Sequence, residues 1–203
     1  MKNNLIITSF FVVATLVLIF GQISFAEDMK GRVGLGARLA HVDYVEHDDE
    51  PDDAVMYGIN LTYFAHRYFS FELSADYTES DVELSVLGLS GNDGDLTQVP
   101  VLLTGRMHFS TNPKVSPYFG GGVGYYFNSI DSDRAVAKTD VDNSIGYHVS
   151  AGVEIFVAEN AAINLDFRYI WNKIDAEVKP PGFADGEFDL NAFVAGAGFK
   201  YYF

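Results

Sequence analysis

The chain contains no cysteine and little positive charge. Without cysteine among its 203 residues it has no disulfide framework, no thiol nucleophile and no thiolate metal site. Only 13 lysines and arginines stand against 28 acidic residues, which gives a net charge of −15. Nucleic-acid phosphates require lysine and arginine, so we expect no nucleic-acid partner. Beyond residue 26 the sequence also lacks an apolar run long enough for a membrane-spanning helix.

The one long apolar run lies at the start of the chain. Lys2 precedes an apolar core over 5–20, and Ser24, Phe25 and Ala26 form a small-x-small cleavage site. This pattern predicts a secretory signal peptide over 1–26, cleaved before Glu27. A membrane anchor is the alternative, because the run is near the lower length limit of a spanning helix. The remaining 27–203 form one domain with 12 basic and 28 acidic residues, a net charge of −16.

Apolar residues recur at every second position in eight segments of this domain. The segments are 33–39, 55–63, 69–77, 99–109, 119–127, 145–155, 163–171 and 193–203, and the apolar row always has odd numbers. The rows hold 42 positions and no charged residue, whereas a chain that is 20% charged would place roughly eight there by chance. Such alternation predicts strands with two unlike faces.

The even positions of the same segments form a polar but electrically balanced face. They hold four cations and four anions: Arg38, Glu72, Asp76, Arg106, Glu154, Asp166, Arg168 and Lys200. The gaps between the rows alternate strictly between short and long, at 15, 5, 21, 9, 17, 7 and 21 residues. That alternation predicts an all-β, eight-stranded, antiparallel up-and-down barrel with tight turns at one rim and four long loops at the other.

Alternation alone does not decide which face points inward. A soluble lipocalin-like barrel would turn the apolar row inward, whereas a membrane barrel turns it toward lipid. Aromatic residues at the row ends, glycines on the even face and balanced even-face charges favour the membrane barrel. The last strand ends with the aromatic residues Phe199, Tyr201 and Phe203, which we interpret as an assembly signal. We therefore expect a transmembrane barrel in the bacterial outer membrane, with short periplasmic turns and extracellular loops.

Three segments carry a resemblance to a known family. QVPVLLTGRMHF at 98–109, SPYFGGGVGYYF at 116–127 and NLDFRYI at 164–170 resemble the OmpW family of small outer-membrane barrels. The Pro-Tyr-x-Gly-x-Gly pattern is shared with OmpA-like and OmpX-like barrels. The resemblance implies passive uptake of small hydrophobic molecules through an apolar upper lumen and a side opening in the wall.

With both termini in the periplasm, the even face divides into two zones. Glu72, Arg106, Glu154 and Lys200 fall in the inner half, where opposite charges should bridge and close the barrel. The outer half is apolar, and its inward residues are a candidate solute path: Val42, Met56, Pro100, Leu102, Ile170, Ala192 and Val194. Pro100 lacks an N–H and removes one ladder hydrogen bond, so it is a candidate lateral exit, unless it lies at the rim where the defect is harmless.

Other polar groups are weaker candidates. The acidic segment 46–53 could bind calcium or magnesium near lipopolysaccharide, but it lacks the spacing of a calcium loop, and a solvated loop is favoured. His108 and His148 point inward without an evident third ligand, so no metal site is predicted. Ser150 near His148 does not amount to a catalytic triad. We expect no enzyme and no cofactor.

Two functions remain open. One is a passive channel for small hydrophobic solutes, and the other is a closed structural or adhesive barrel that acts through its acidic loops. The expected partners are outer-membrane lipid, lipopolysaccharide and the barrel assembly machinery, with small hydrophobic solutes if the barrel is a channel.

Overall fold

The computed structural model describes residues 29–45, 53–83, 93–109, 114–131, 138–141, 143–179 and 186–203. In these ranges every regular element is a β-strand, and none contains a helix long and apolar enough to cross a membrane. The predicted signal peptide, 1–26, lies outside the described residues and stays a prediction.

Eight antiparallel strands form a closed barrel. They are β1 (Val33–Tyr44), β2 (Ala54–His66), β3 (Phe69–Glu83), β4 (Asp93–His108), β5 (Val115–Asp131), β7 (Ser144–Ala158), β8 (Ala161–Trp171) and β11 (Ala192–Tyr202). Each strand pairs with the next barrel strand along the chain, and β1 pairs with β11 from Gly34↔Tyr202 to Tyr44↔Ala192 to close the ring. The predicted up-and-down barrel is confirmed.

The apolar row faces outward and the charged row faces the lumen. β1 alternates strictly between exposed odd and buried even residues, and the exposed ones include Leu39 at 61%. On β2, Ile59 is 62% exposed, whereas the lumen residues Arg106 and Glu154 are each 0% exposed. The lipocalin-like arrangement is therefore wrong for this chain. Val153 departs from the outward row, since it is only 6% exposed.

Aromatic side chains form two belts on the outer surface, as is typical of membrane barrels. In the upper belt, near the long loops, Tyr169 packs against Trp171 and Phe193 with ring centroids 4.6 Å apart in each pair, and Phe127 packs against Tyr125 at 4.9 Å. Near the short turns, Phe109 stacks on Phe119 at 5.3 Å. The surface between the belts is the part of the barrel that contacts the hydrocarbon core.

The long loops contain more strand than the sequence predicted. Strands β3 and β4 continue pairing to Glu83↔Asp93, inside a predicted loop of 21 residues. A second, three-stranded sheet is built from β6 (Lys138–Val141), β9 (Lys173–Lys179) and β10 (Gly186–Asp189). Beyond the aromatic belt the outward face of these strands meets water, as at Glu79, so its apolar row ends while the backbone ladder continues.

Candidate functional site

The middle of the lumen is occupied by a charged layer that centres on Glu72. Arg106 donates two hydrogen bonds to this carboxylate, each 2.5 Å long, from Nη1 and Nη2. Lys200 Nζ donates to Glu72 Oε2 at 2.7 Å and to Glu154 Oε1 at 2.8 Å. These four residues lie on β3, β4, β7 and β11, so the contacts span the barrel.

Two further ion pairs complete this charged layer. Arg38 binds Asp76 with Nε at 2.7 Å and with Nη2. Asp166 accepts from Tyr118 Oη at 2.6 Å and from Arg168 Nη2 at 3.1 Å. The eight charged residues of the even face are thus all in one region, and all are at most 8% exposed. Ion-paired side chains from strands on different sides of the barrel therefore meet within the lumen at this level.

Above the charged layer, toward the long loops, lies an apolar layer. It consists of Ala40, Val42, Tyr44, Ala54, Met56, Leu96, Leu102, Tyr126, Ile170, Leu190, Ala192 and Val194. Six of the seven candidate solute-path residues belong to it. The seventh, Pro100, is buried beside it, between Leu102 on its own strand and Tyr126 on β5.

Pro100 coincides with a gap in the ladder between β3 and β4. Pairing runs from Phe69↔Met107 to Ala75↔Val101, stops for two positions, and resumes at Thr78↔Gln98 in the same register. The gap lies opposite Asp76 and Tyr77, and ladder pairs continue on both sides of it. The gap therefore lies within the paired length of β3 and β4 and not at the end of either strand. The outward neighbour of Pro100, Val99, pairs with Phe127 at the level of the upper aromatic belt.

A ring of uncharged polar groups lies at the outer edge of the apolar layer. Gln98 Nε2 donates to Asn128 Oδ1 at 2.9 Å, and Ser144 Oγ donates to Asn172 Oδ1 at 2.9 Å. From β1, Tyr44 Oη reaches over the lumen and donates to Gln98 Oε1 on β4 at 3.1 Å. Strands β2 and β3 lie between these two strands, so the Tyr44–Gln98 bridge crosses the mouth of the barrel.

A second apolar group, which was not predicted from the sequence, lies at the periplasmic end and is called the lower plug. It consists of Met29, Phe64, Phe156, Ala162 and Tyr202, each at most 2% exposed. Met29 is brought there by a turn in which Arg32 N donates to Met29 O at 3.1 Å. Gly31 has φ of 85° in this turn, a conformation that favours glycine. Aromatic residues at the even positions 64, 156 and 202 were the available signal.

The remaining candidates have ordinary surroundings. His108 contacts Ser70 Oγ at 2.8 Å, and His148 Nε2 contacts Thr104 Oγ1 at 2.9 Å. No hydrogen bond joins Ser150 to His148, because Ser150 Oγ has no partner in the described structure. The described residues include no group of three potential metal ligands. Of the acidic segment 46–53, only Asp53 is described, and it lies 3.5 Å from His41.

The terminal residues of the chain lie on the outer surface. Phe199, Tyr201 and Phe203 are 51%, 42% and 73% exposed, and the last two rings pack at 5.1 Å. Phe203 N donates to Val33 O at 2.8 Å, so the terminus is tied to β1 at the barrel closure. Their role as an assembly signal stays a prediction.

A closed barrel with an apolar exterior, two aromatic belts and an ion-paired lumen defines a transmembrane protein of the bacterial outer membrane. The chain belongs to the outer membrane protein beta-barrel domain family, whose model matches residues 12–203.

Relatives and solved structures agree with this assignment. An uncharacterized outer-membrane protein of Sinorhizobium fredii, y4mB, is 27% identical over 158 residues, which are 74% of this chain and 67% of that protein. OprG of Pseudomonas aeruginosa has a TM-score of 0.72 at 21% identity, over 89% of this chain and 99% of that one. Outer membrane protein W of E. coli has a TM-score of 0.60 at 18% identity, over 86% and 98%. Both structures share the barrel fold of this chain, as the sequence resemblance to the OmpW family implied, and at these identities they speak for the fold alone.

Proposed function

We propose that this barrel is a passive channel for small hydrophobic molecules, which enter the apolar layer from outside and leave sideways into the bilayer between β3 and β4. The observation that carries the proposal is the ladder gap at Pro100, because it lies beside the apolar layer. A gap in the hydrogen-bond ladder of a membrane barrel leaves backbone polar groups unpaired in lipid, which costs free energy. The position of this gap beside the apolar layer therefore supports a role in solute exit.

The closed lower lumen supports a lateral route over a straight one. The charged layer and the lower plug both lie between the apolar layer and the periplasm. Moving an apolar solute through the charged layer would separate buried ion pairs, which costs several kcal/mol. A solute that reaches the apolar layer therefore has its easiest exit through the wall.

The position of the gap also indicates where a solute would emerge. Val99 lies next to Phe127 of the upper aromatic belt, so the gap opens near the outer interface of the bilayer. A hydrophobic solute would then pass from the lumen into the lipid near that interface without crossing the charged lipopolysaccharide surface.

Replacing Pro100 with valine is expected to lower uptake of an apolar probe about tenfold. The valine N–H restores a ladder hydrogen bond, and one such bond is worth about 1–1.5 kcal/mol, or about a tenfold change in rate. The measurement is the initial rate of pyrene uptake by cells that carry either protein in the outer membrane, at matched amounts of folded barrel.

The matched control is Pro117→Val. Pro117 also lies in a barrel strand, but it is paired with Val153 and is remote from the apolar layer. Uptake should be unchanged in this variant. Equal uptake by wild type and Pro100→Val, with normal assembly, would contradict the proposed lateral exit between β3 and β4.

Tyr44→Phe is expected to raise uptake about fivefold. The substitution removes the bridge to Gln98 and the contact with Ser80 at 3.4 Å while it retains the apolar ring. One neutral hydrogen bond is worth about 1 kcal/mol, which corresponds to roughly this factor. The same pyrene assay measures it, with Tyr147→Phe as control, because Tyr147 is 61% exposed on the outer surface. A rate equal to that of wild type would show that the bridge does not limit entry.

A closed barrel that acts through its outer surface is the competing function. The extracellular sheet of β6, β9 and β10 is the feature that favours it, since it extends the protein beyond the bilayer. Lipopolysaccharide and the assembly machinery are the partners proposed for either function. If cells with and without the protein take up pyrene at the same rate, the closed barrel is supported and the channel is not.

A further inference from the structure

Arg168 is the least satisfied of the four cations in the lumen. Its side chain is 0% exposed, and within the described part of the chain it makes one hydrogen bond, from Nη2 to Asp166 Oδ1. Nε and Nη1 have no partner among the residues that the structure describes. A guanidinium is a donor only, and leaving its N–H groups buried and unpaired is costly. Arg168 therefore keeps donor capacity that the surrounding protein does not use.

Asp166 does not fill this deficit. Its carboxylate is shared between Arg168, Tyr118 Oη and Arg106, whose Nη2 lies 3.6 Å away. By comparison, Arg106 pairs both terminal nitrogens with Glu72. The charge of Arg168 is balanced by its neighbour, but its hydrogen-bonding geometry is not complete.

Other unpaired polar atoms lie on the two strands that follow β8 around the barrel. Ser150 on β7 is the direct cross-strand neighbour of Arg168, and its Oγ has no partner in the described ranges. Tyr126 lies on β5, and its hydroxyl is likewise buried without a partner in those ranges. Both hydroxyls can donate. Each hydroxyl can also accept, but among the described residues neither is hydrogen-bonded to the Arg168 guanidinium, so this part of the wall holds several unpaired polar groups.

The donors border the apolar layer. Ile170 lies two residues outward from Arg168 on the same strand, and Val194 is its cross-strand neighbour on β11. Tyr126 belongs to the apolar layer itself and lies against glycines, since a Cβ on Gly124 or Gly146 would be 2.9 or 2.8 Å from its ring. A ligand at Arg168 would thus have an apolar chain on its outer side.

We propose that Arg168 binds the carboxylate of an acid with an apolar chain, such as a medium-chain alkanoate, whose chain occupies the apolar layer. This proposal rests on the channel function proposed above and names a substrate class for it. Hydrogen bonds between a guanidinium and a carboxylate are roughly twice as strong as neutral ones. A hydrocarbon would leave the same donors unpaired, and a compact hydrophilic anion would not use the apolar layer.

The direct test is the side-chain ¹⁵N spectrum of arginine-labelled wild-type protein in lipid nanodiscs, titrated with decanoate. The Arg168 Nε signal is identified by its loss in Arg168→Lys. We expect it to shift saturably with decanoate, and to shift far less with methyl decanoate, decane or acetate at the same concentration. Arg32, in the exposed turn before β1, is the internal control and should not move.

Several outcomes would overturn the proposal. They are an unchanged Arg168 signal, an equal shift with methyl decanoate or with acetate, and an equal shift of Arg32 that reveals a general surface-charge effect. The ligand is titrated into wild-type protein, and the Arg168→Lys variant serves only to identify the signal.

An uptake comparison separates this proposal from the channel proposal. In Arg168→Met combined with Asp166→Asn, which keeps the lumen charge balanced, decanoate uptake should fall about tenfold relative to pyrene uptake, as expected for the loss of a charge-assisted hydrogen bond. An unchanged ratio would overturn the carboxylate site. Background-level pyrene uptake by wild type would overturn the channel while the titration still decides whether Arg168 binds a carboxylate.

Discussion

Glu72→Gln is expected to lower the free energy of unfolding of the barrel by about 3–5 kcal/mol, the usual cost of leaving a buried charge without its partner. The glutamine preserves the shape of the side chain and removes the negative charge. Arg106 and Lys200 then lose an acceptor that each contacts within 2.7 Å, and Arg38 Nη1 loses a carboxylate at 3.6 Å. Urea unfolding of the barrel in phospholipid vesicles measures the change.

The matched control for this experiment is Glu159→Gln. Glu159 lies in the exposed turn between β7 and β8, so its charge is screened by water, and we expect a change within about 0.5 kcal/mol. Similar losses in the two variants would contradict a structural role for the charged layer. Adding Lys200→Met to Glu72→Gln returns the lumen to equal numbers of cations and anions and should recover part of the loss. No recovery would mean that shape, and not charge balance, matters at this level.

Ile59→Lys is expected to destabilise the membrane-inserted barrel by about 2–4 kcal/mol, the cost of a lysine on the lipid face near the bilayer midplane. Ile59 is 62% exposed and lies midway along the outward row of β2, with Tyr57 and Tyr63 toward its two ends. The charge would therefore meet hydrocarbon and would have no counter-ion.

Ser129→Lys provides the comparison for the same added charge. Ser129 is exposed on β5, two residues beyond Phe127 of the upper aromatic belt, where water and headgroups can solvate a lysine. We expect a change near zero at this depth. Equal effects at positions 59 and 129 would contradict the assignment of the outward row to lipid.

The barrel itself could be predicted because its signal is repeated and local. Each row alternates along a single strand, so the lipid-facing residues can be recognised without knowing which strand pairs with which. The strand ends were less predictable. At β3 and β4 the outward positions become charged, at Glu79 for example, because that part of the strand pair has left the bilayer.

The partners inside the lumen could not be predicted to the same degree. The even numbering of the charged residues predicted that they point into the lumen, and the direction of each strand predicted their approximate depth in it. The contact between Lys200 and Glu72, however, joins residues 128 positions apart. It exists only because β11 closes on β1 and the lumen is narrow enough for side chains to meet.

The sequence by itself determined the class of fold, the outward row, the charge balance of the lumen and the apolar character of its outer half. These properties follow from residue type and alternation along single strands. The tertiary structure alone decided that Tyr44 bridges to Gln98, that Met29 folds under the barrel, that the ladder is open beside Pro100, and that two nitrogens of Arg168 have no partner among the described residues. Each of these depends on the register and closure of the sheet, which set the distances between side chains on different strands.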